Sequence, residues 1–340
     1  MTVQRLRDTL WLKRLEGIDR LWKIARKGDP EGVHQLRVAS RRIREALPIL
    51  SDGTHPHRVR RMQRAVRALT RTLGPVRECD VSLLLLTTLE RANPENRSAI
   101  QLVRQAIVAK RKDLQDRLQE HLDSVTPAEL SRKLTKATKR KKKKKKKNTT
   151  TTVHARETPK PVDSGFDEHW RLALAARIVR RSKQLEQSVA YAGALYAPDR
   201  LHGVRVSVKK LRYALELGKE ARIPRLTSAI RFLKKMQDNL GELQDREMLL
   251  DRVRTVHAAP GHEAVFDSLE RLTRLLEEET RQYHAQFVSH REDLMKLCRD
   301  VRQQASYIAP IGRPVRKRQA KASHRRTSPP RIAVDRASRR

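Results

Sequence analysis

Leu, Ile, Val and Ala recur at three- and four-residue spacing along two long stretches of this chain, the period of a helix with one buried face. The first stretch predicts helices at about 2–27, 31–50, 56–73, 76–92 and 95–122. The second predicts helices at about 166–193, 199–220, 224–239, 243–257 and 262–304. Breaks are expected at Gly28-Asp29-Pro30, Asp52-Gly53, Leu73-Gly74-Pro75, Asn93-Pro94, Ala197-Pro198-Asp199, Ile223-Pro224 and Ala259-Pro260-Gly261. The expected fold is all-α, with short connections between antiparallel neighbours, hence helical bundles.

Between the two stretches the periodicity stops. The segment holds an unbroken lysine-rich run, Lys139 to Lys147 with Arg140 inside it, then a Thr run and two prolines. Self-repulsion opposes compact structure there, so 124–165 is expected to be a disordered linker. The tail 313–340 has the same basic composition. The expected layout is a first helical half at 1–123, the linker, a second half at 166–312, and the tail.

The two halves echo each other. VHQLRVASRRIREAL begins at Val33, and LHGVRVSVKKLRYAL begins 168 positions later at Leu201. LTRTLGPVRECD (Leu69 to Asp80) matches MQDNLGELQDRE (Met236 to Glu247) at an offset of 167. Such a repeat predicts two bundles related by duplication about a pseudo-two-fold axis, with a basic groove between or across them.

On a helix, His34, Arg37, Arg41 and Arg44 share one face, and Leu36, Ala39, Ile43, Ala46 and Leu47 take the opposite one. In the second copy His202, Arg205, Lys209 and Arg212 form the stripe, with Val204, Leu211, Ala214 and Leu215 behind it. Arg42 and Lys210 flank the stripes at equivalent positions. No acidic residue interrupts either stripe, whereas a solvated charged face mixes signs at i±4. A third basic stripe runs through Arg60, Arg64, Arg67 and Arg71, and Arg231 and Lys234 form its weaker counterpart.

Charge widens the picture. The chain carries 77 Lys and Arg against 39 Asp and Glu, a net charge of +38, which calls for a polyanionic partner. Arg suits phosphate because its planar fork donates two parallel hydrogen bonds. A histidine among cations is pushed toward its neutral form. His34 and His202 admit two readings, a bond to a neighbouring carbonyl or carboxylate, or direct contact with phosphate. The acidic residues of the second motif, Glu78, Asp80, Asp245 and Glu247, stand open between stabilising a helix start, holding the arginines in register, and binding a metal.

Cys79 and Cys298 are too few and too far apart for a disulfide framework or a zinc site, which fits a reducing cytoplasm. The first residues lack the apolar run of a signal peptide, and the longest apolar stretch, from Val81, is too short to span a membrane. No P-loop, zinc motif or nucleophile–base arrangement is present, so no catalytic residue, metal or cofactor is assigned and the chain is expected not to be an enzyme, with a metal-dependent enzyme acting on a phosphate polymer as the third reading. The linker and tail predict salt-sensitive, non-specific affinity for RNA or DNA, the competing function. Aromatic residues make up only 4% of the chain, too few for a repeated base-stacking stripe. Nothing in the sequence sets an oligomeric state.

The pattern V-H-x-L-R-V-x-x-R-R-x-R, its echo L-H-x-V-R-V-x-x-K-K-L-R-Y, and the L-G-x-x-R-E-x-D and L-G-x-L-x-D motifs resemble the CHAD family, the conserved histidine α-helical domain. The resemblance covers both halves. It implies two helical bundles about a pseudo-two-fold axis, a basic groove for inorganic polyphosphate, and localisation in the cytoplasm at polyphosphate granules. By position, it assigns the family's histidines to His34 and His202. Its basic ligands fall on Arg37, Arg41, Arg42, Arg44, Arg205, Lys209, Lys210 and Arg212. Glu78 departs from the family, which often has Asp there, and the lysine-rich linker has no family counterpart.

Overall fold

In a computed structural model of the chain, residues 3–51, 56–124, 126–138 and 164–306 are described. They form eleven α-helices and no strand. The first half holds α1 (Val3–Leu15), α2 (Ile18–Arg26), α3 (Pro30–Leu50), α4 (Pro56–Ala92), α5 (Arg97–Asp123) and α6 (Pro127–Thr138). The second holds α7 (Ser164–Ala192), α8 (Pro198–Glu220), α9 (Thr227–His257), α10 (Phe266–Ser289) and α11 (Arg291–Ser306). The lysine-rich run and the tail lie outside the described residues.

The stripe-bearing helices start where the turn chemistry dictates. Gly28 adopts φ 82°, and the Asp29 carboxylate accepts the Gly32 N–H at 2.6 Å. Pro30 then takes the first position of α3, where a missing N–H costs nothing. Pro198 opens α8 in the same way. Consecutive helices pack on one another, α3 on α4, α4 on α5, α8 on α9 and α9 on α10.

The two halves also meet: α3 touches α8, α4 touches α9 and α5 touches α10. The apolar backs of both stripes feed one core. Leu36, Ile43 and Leu47 are buried in the same cluster as Val204, Leu211 and Leu215. A second, smaller cluster joins α4 and α5 to α9 and α10 through Leu86, Ile100, Val103, Leu249, Val253 and Leu272.

Several expected boundaries are corrected. Gly17 at φ 76° divides the first helix into α1 and α2. The break expected at Leu73-Gly74-Pro75 is absent, and α4 runs through it. Proline there removes one N–H and crowds the carbonyl one turn back. Against that, Leu73 and Val76 on either side are fully buried, and Arg37 Nη1 donates to the neighbouring Thr70 carbonyl at 2.9 Å. The helices expected at 224–239 and 243–257 are likewise one, α9. The long final helix is two, α10 and α11, divided at His290. Residues 127–138, expected to belong to the linker, form α6, because Leu130 and Leu134 are buried one turn apart and hold it against α4 and α2.

Among the glycines described, Gly32 has the least room for a side chain. A Cβ there would sit 2.5 Å from Ile24 Cγ2 and 2.9 Å from the Ala25 nitrogen. Gly32→Ala is expected to destabilise the fold by about 1–3 kcal/mol in urea denaturation by pushing α2 off α3.

Candidate functional site: a cationic seam between the two halves

Where α3 meets α8, the basic stripes face each other rather than separate solvents. Burial lowers the pKa of Arg37 to about 10, helped by the charges of Arg41 and Arg205 and opposed by Glu78. Lys209 is driven further. Burial first, then Arg205, Arg41 and Arg37, bring its ammonium down to about 6, with Asp245 as the opposing charge. Burial and Arg41 also lower Arg205, against Asp245, Glu78 and Glu247. The Arg41 guanidinium lies 6.0 Å from the Tyr213 ring centre, across the seam.

The second repeated motif holds the first in place. Gly74 lets the Arg37 guanidinium approach α4, since a Cβ there would lie 3.1 Å from Nη1. Its counterpart Gly241 faces Arg205 Nη2 at 3.8 Å from the same virtual atom. Residues three and four positions on share the glycine's face of the helix. They supply the partners: Asp245 Oδ1 lies 3.7 Å from Arg205 Nη2, and Glu78 acts on both Arg37 and Arg205. His202 Nδ1 bonds Gln244 Oε1 at 2.7 Å. His34 instead has the Arg77 charge beside it, which adds to burial in lowering its pKa.

The outer acidic residues of the motif are tied up elsewhere. Asp80 takes the Arg111 Nε at 2.6 Å, and Arg111 also donates to the Gly28 carbonyl, fixing α5 to the α2–α3 turn. Glu247 accepts the Tyr196 hydroxyl at 2.6 Å.

Toward the C-terminal end of α3 the cations continue. Burial, Arg41 and Arg67 lower the pKa of Arg44, against Glu45. Lys210 is lowered by burial and then by Arg181, with Arg44 and Arg177 adding and Glu45 opposing. Glu45 itself is buried and takes two bidentate arginine forks, from Arg177 at 2.7 and 3.1 Å and from Arg181 at 2.9 and 2.9 Å. Burial raises its pKa, but the bonds to Arg181 and Arg177 outweigh that and hold the carboxyl below its ordinary value. Arg177 and Arg181 were not found from sequence. They share a face at i, i+4, but α7 has no echo in the first half that would single them out.

The other expected residues divide. Arg212 pairs with Glu216 at 2.9 Å on its own helix, and exposed Arg42 lies 3.9 Å from the same carboxylate. Arg67 joins the seam through Arg44. Arg60, Arg64 and Arg71 are exposed on α4, as are Arg231 and Lys234 on α9. Arg60 is ten residues before Thr70, and Arg231 ten before Gly241. Each is therefore about 15 Å along its helix from the Arg37 or Arg205 contact, and Arg64 is about 9 Å away.

The seam is short of acceptors. The Nε atoms of Arg41, Arg205 and Arg212 are buried with none among the described residues. The Lys209 ammonium likewise makes no hydrogen bond or ion pair among them. A buried donor left unmade costs about 1–3 kcal/mol, more when charged. The arrangement presents converging positive charge and free N–H groups, the recognition chemistry of an oxyanion.

The chain matches the sequence profile of the CHAD domain over residues 9–254. The crystal structure of the CHAD domain from the plant Ricinus communis superposes with a TM-score of 0.57 at 20% identity, over 86% of this chain and 92% of that one. PptA from Streptomyces chartreusis superposes with a TM-score of 0.56 at 15% identity, over 90% of this chain and 99% of its own. At these identities the structures establish the shared fold. No curated protein matches the chain.

Lys209 predicts a pH dependence of stability. Its pKa is about 6 folded against 10.5 as the reference, so between those values the unfolded chain binds more protons and stability rises with pH. Lys209→Met is therefore expected to raise the melting temperature most below pH 6, with the advantage shrinking as the pH approaches 10. A constant difference across that range would contradict the burial of this ammonium among cations.

Proposed function

This chain belongs to the CHAD domain family, and on that premise we propose that its cationic seam is a groove that binds inorganic polyphosphate. The observation that carries the reading is the under-neutralised cluster of Arg37, Arg41, Arg205 and Lys209, drawn from both halves, with buried N–H groups awaiting an acceptor. The family's general link to polyphosphate supports the same ligand. Polyphosphate carries about one negative charge per phosphate and no bases, so charge and hydrogen bonds suffice to grip it. His34 and His202 flank one end of the track, and Arg44, Lys210 and Arg67 extend the other. Burial and the neighbouring Arg77 charge hold His34 toward its neutral form, and a bound polyanion would favour its protonated one.

The role proposed is binding rather than catalysis, in the cytoplasm and at polyphosphate granules. Among the described residues no helix is long and apolar enough to cross a membrane. The lysine-rich run and the tail give a second, non-specific hold on polyanions, nucleic acid included.

A competition titration tests the reading. The chain without residues 139–163 and 313–340 is titrated with labelled long-chain polyphosphate at about 150 mM salt, where exposed charges are screened beyond about 8 Å. Tight binding that excess RNA or duplex DNA does not displace is expected. Displacement by RNA at equal phosphate would make the seam a general polyanion surface. In the same assay, Arg37→Gln with Arg205→Gln is expected to weaken binding on the order of 100-fold with the helical spectrum retained.

A further inference from the structure

Glu78, whose charge acts on Arg37 and Arg205, also lines a separate cleft. The cleft between α5 and α9, with α4 at its base, encloses about 300 Å³. That volume is at the lower end of small-molecule sites. Its apolar wall comes from Val103 and Ile107 on α5 and Met248 and Val256 on α9. Arg252 also lines it, and this guanidinium lacks the partners that a charge in such a place normally has. Its Nη2 donates only to the Cys79 sulfur, at 3.7 Å, a weak acceptor. Its Nη1 is buried with no acceptor among the described residues, and no ion pair holds it. Other arginines on the same two helices are paired, Arg111 with Asp80 and Arg246 with Glu242 and Glu279.

We infer that this cleft binds a small aliphatic carboxylate, its oxygens on Arg252 and its hydrocarbon chain along the Val103, Ile107 and Met248 wall. A carboxylate matches the guanidinium fork with two parallel bonds and supplies the acceptor that Nη1 lacks. The apolar wall selects a chain of several carbons over a bare anion. Polyphosphate is a poor occupant, because Glu78 and Asp251 line the same cleft and balance Arg252 and Lys110. The site is independent of the polyphosphate reading, since it uses none of the cations of the seam.

The test uses the full chain and hexanoate as the probe, followed by saturation-transfer NMR. Saturable binding is expected, with the strongest transfer to the methyl end, and acetate should bind more weakly. Arg252→Met keeps the side-chain stem and should raise the dissociation constant at least tenfold. Ala106→Trp, at an exposed position on the rim, should block the cleft without disturbing the core and without changing polyphosphate binding. Absence of saturable binding, or equal binding by both variants, would overturn the assignment. Displacement of hexanoate by inorganic phosphate at equal concentration would show an anion site without an apolar half, and would overturn it as well.

Discussion

The structure is organised around like charges held together. Burial of the apolar backs of α3 and α8 in one core brings their basic faces against each other. Arg37, Arg41, Arg205 and Lys209 then share a half-buried space in which Glu78 and Asp245 are the nearest opposing charges. Hydrophobic burial is large and non-directional, so it can hold an electrostatically unfavourable contact. A seam of this kind gains energy only when an anion enters it, so under the proposed function a defect of the free fold is the source of affinity.

The second repeated motif keeps the seam ordered. Gly74 and Gly241 let guanidinium groups lie against α4 and α9, and the carboxylate one turn on, Glu78 or Asp245, stands beside them. Two short motifs, starting 36 residues apart in the first half and 35 in the second, thus make one unit in space. Glu45, gripped by Arg177 and Arg181, fixes the position of α7 at the far end and leaves Arg44 and Lys210 in a cationic environment.

Much of this was legible in the sequence. Helical periodicity located the helical stretches but not all the divisions between helices, and the echo of Val33–Leu47 in Leu201–Leu215 identified the two helices that form the seam. The phase of each stripe was readable because helical faces follow from spacing alone. What spacing could not supply was pairing between elements. Arg212 is held by Glu216, and Arg177 and Arg181 by Glu45, and neither the sharing of Glu45 nor the meeting of the two stripes is visible in a single helix. Proline and glycine misled at α4, because tertiary burial of Leu73 and Val76 outweighed a local break signal. The short α6 was hidden in a composition that otherwise signals disorder, and only Leu130 and Leu134 betray it.

The central claim is that the seam is destabilised when empty and stabilised by polyphosphate. Its most direct test is the melting temperature of the wild-type chain and of Arg41→Gln with Lys209→Gln, with and without long-chain polyphosphate. The account predicts that the variant alone melts at or above the wild type, and that polyphosphate raises the wild type's melting temperature by clearly more. A variant that melts lower when empty, yet gains as much from polyphosphate, would contradict it.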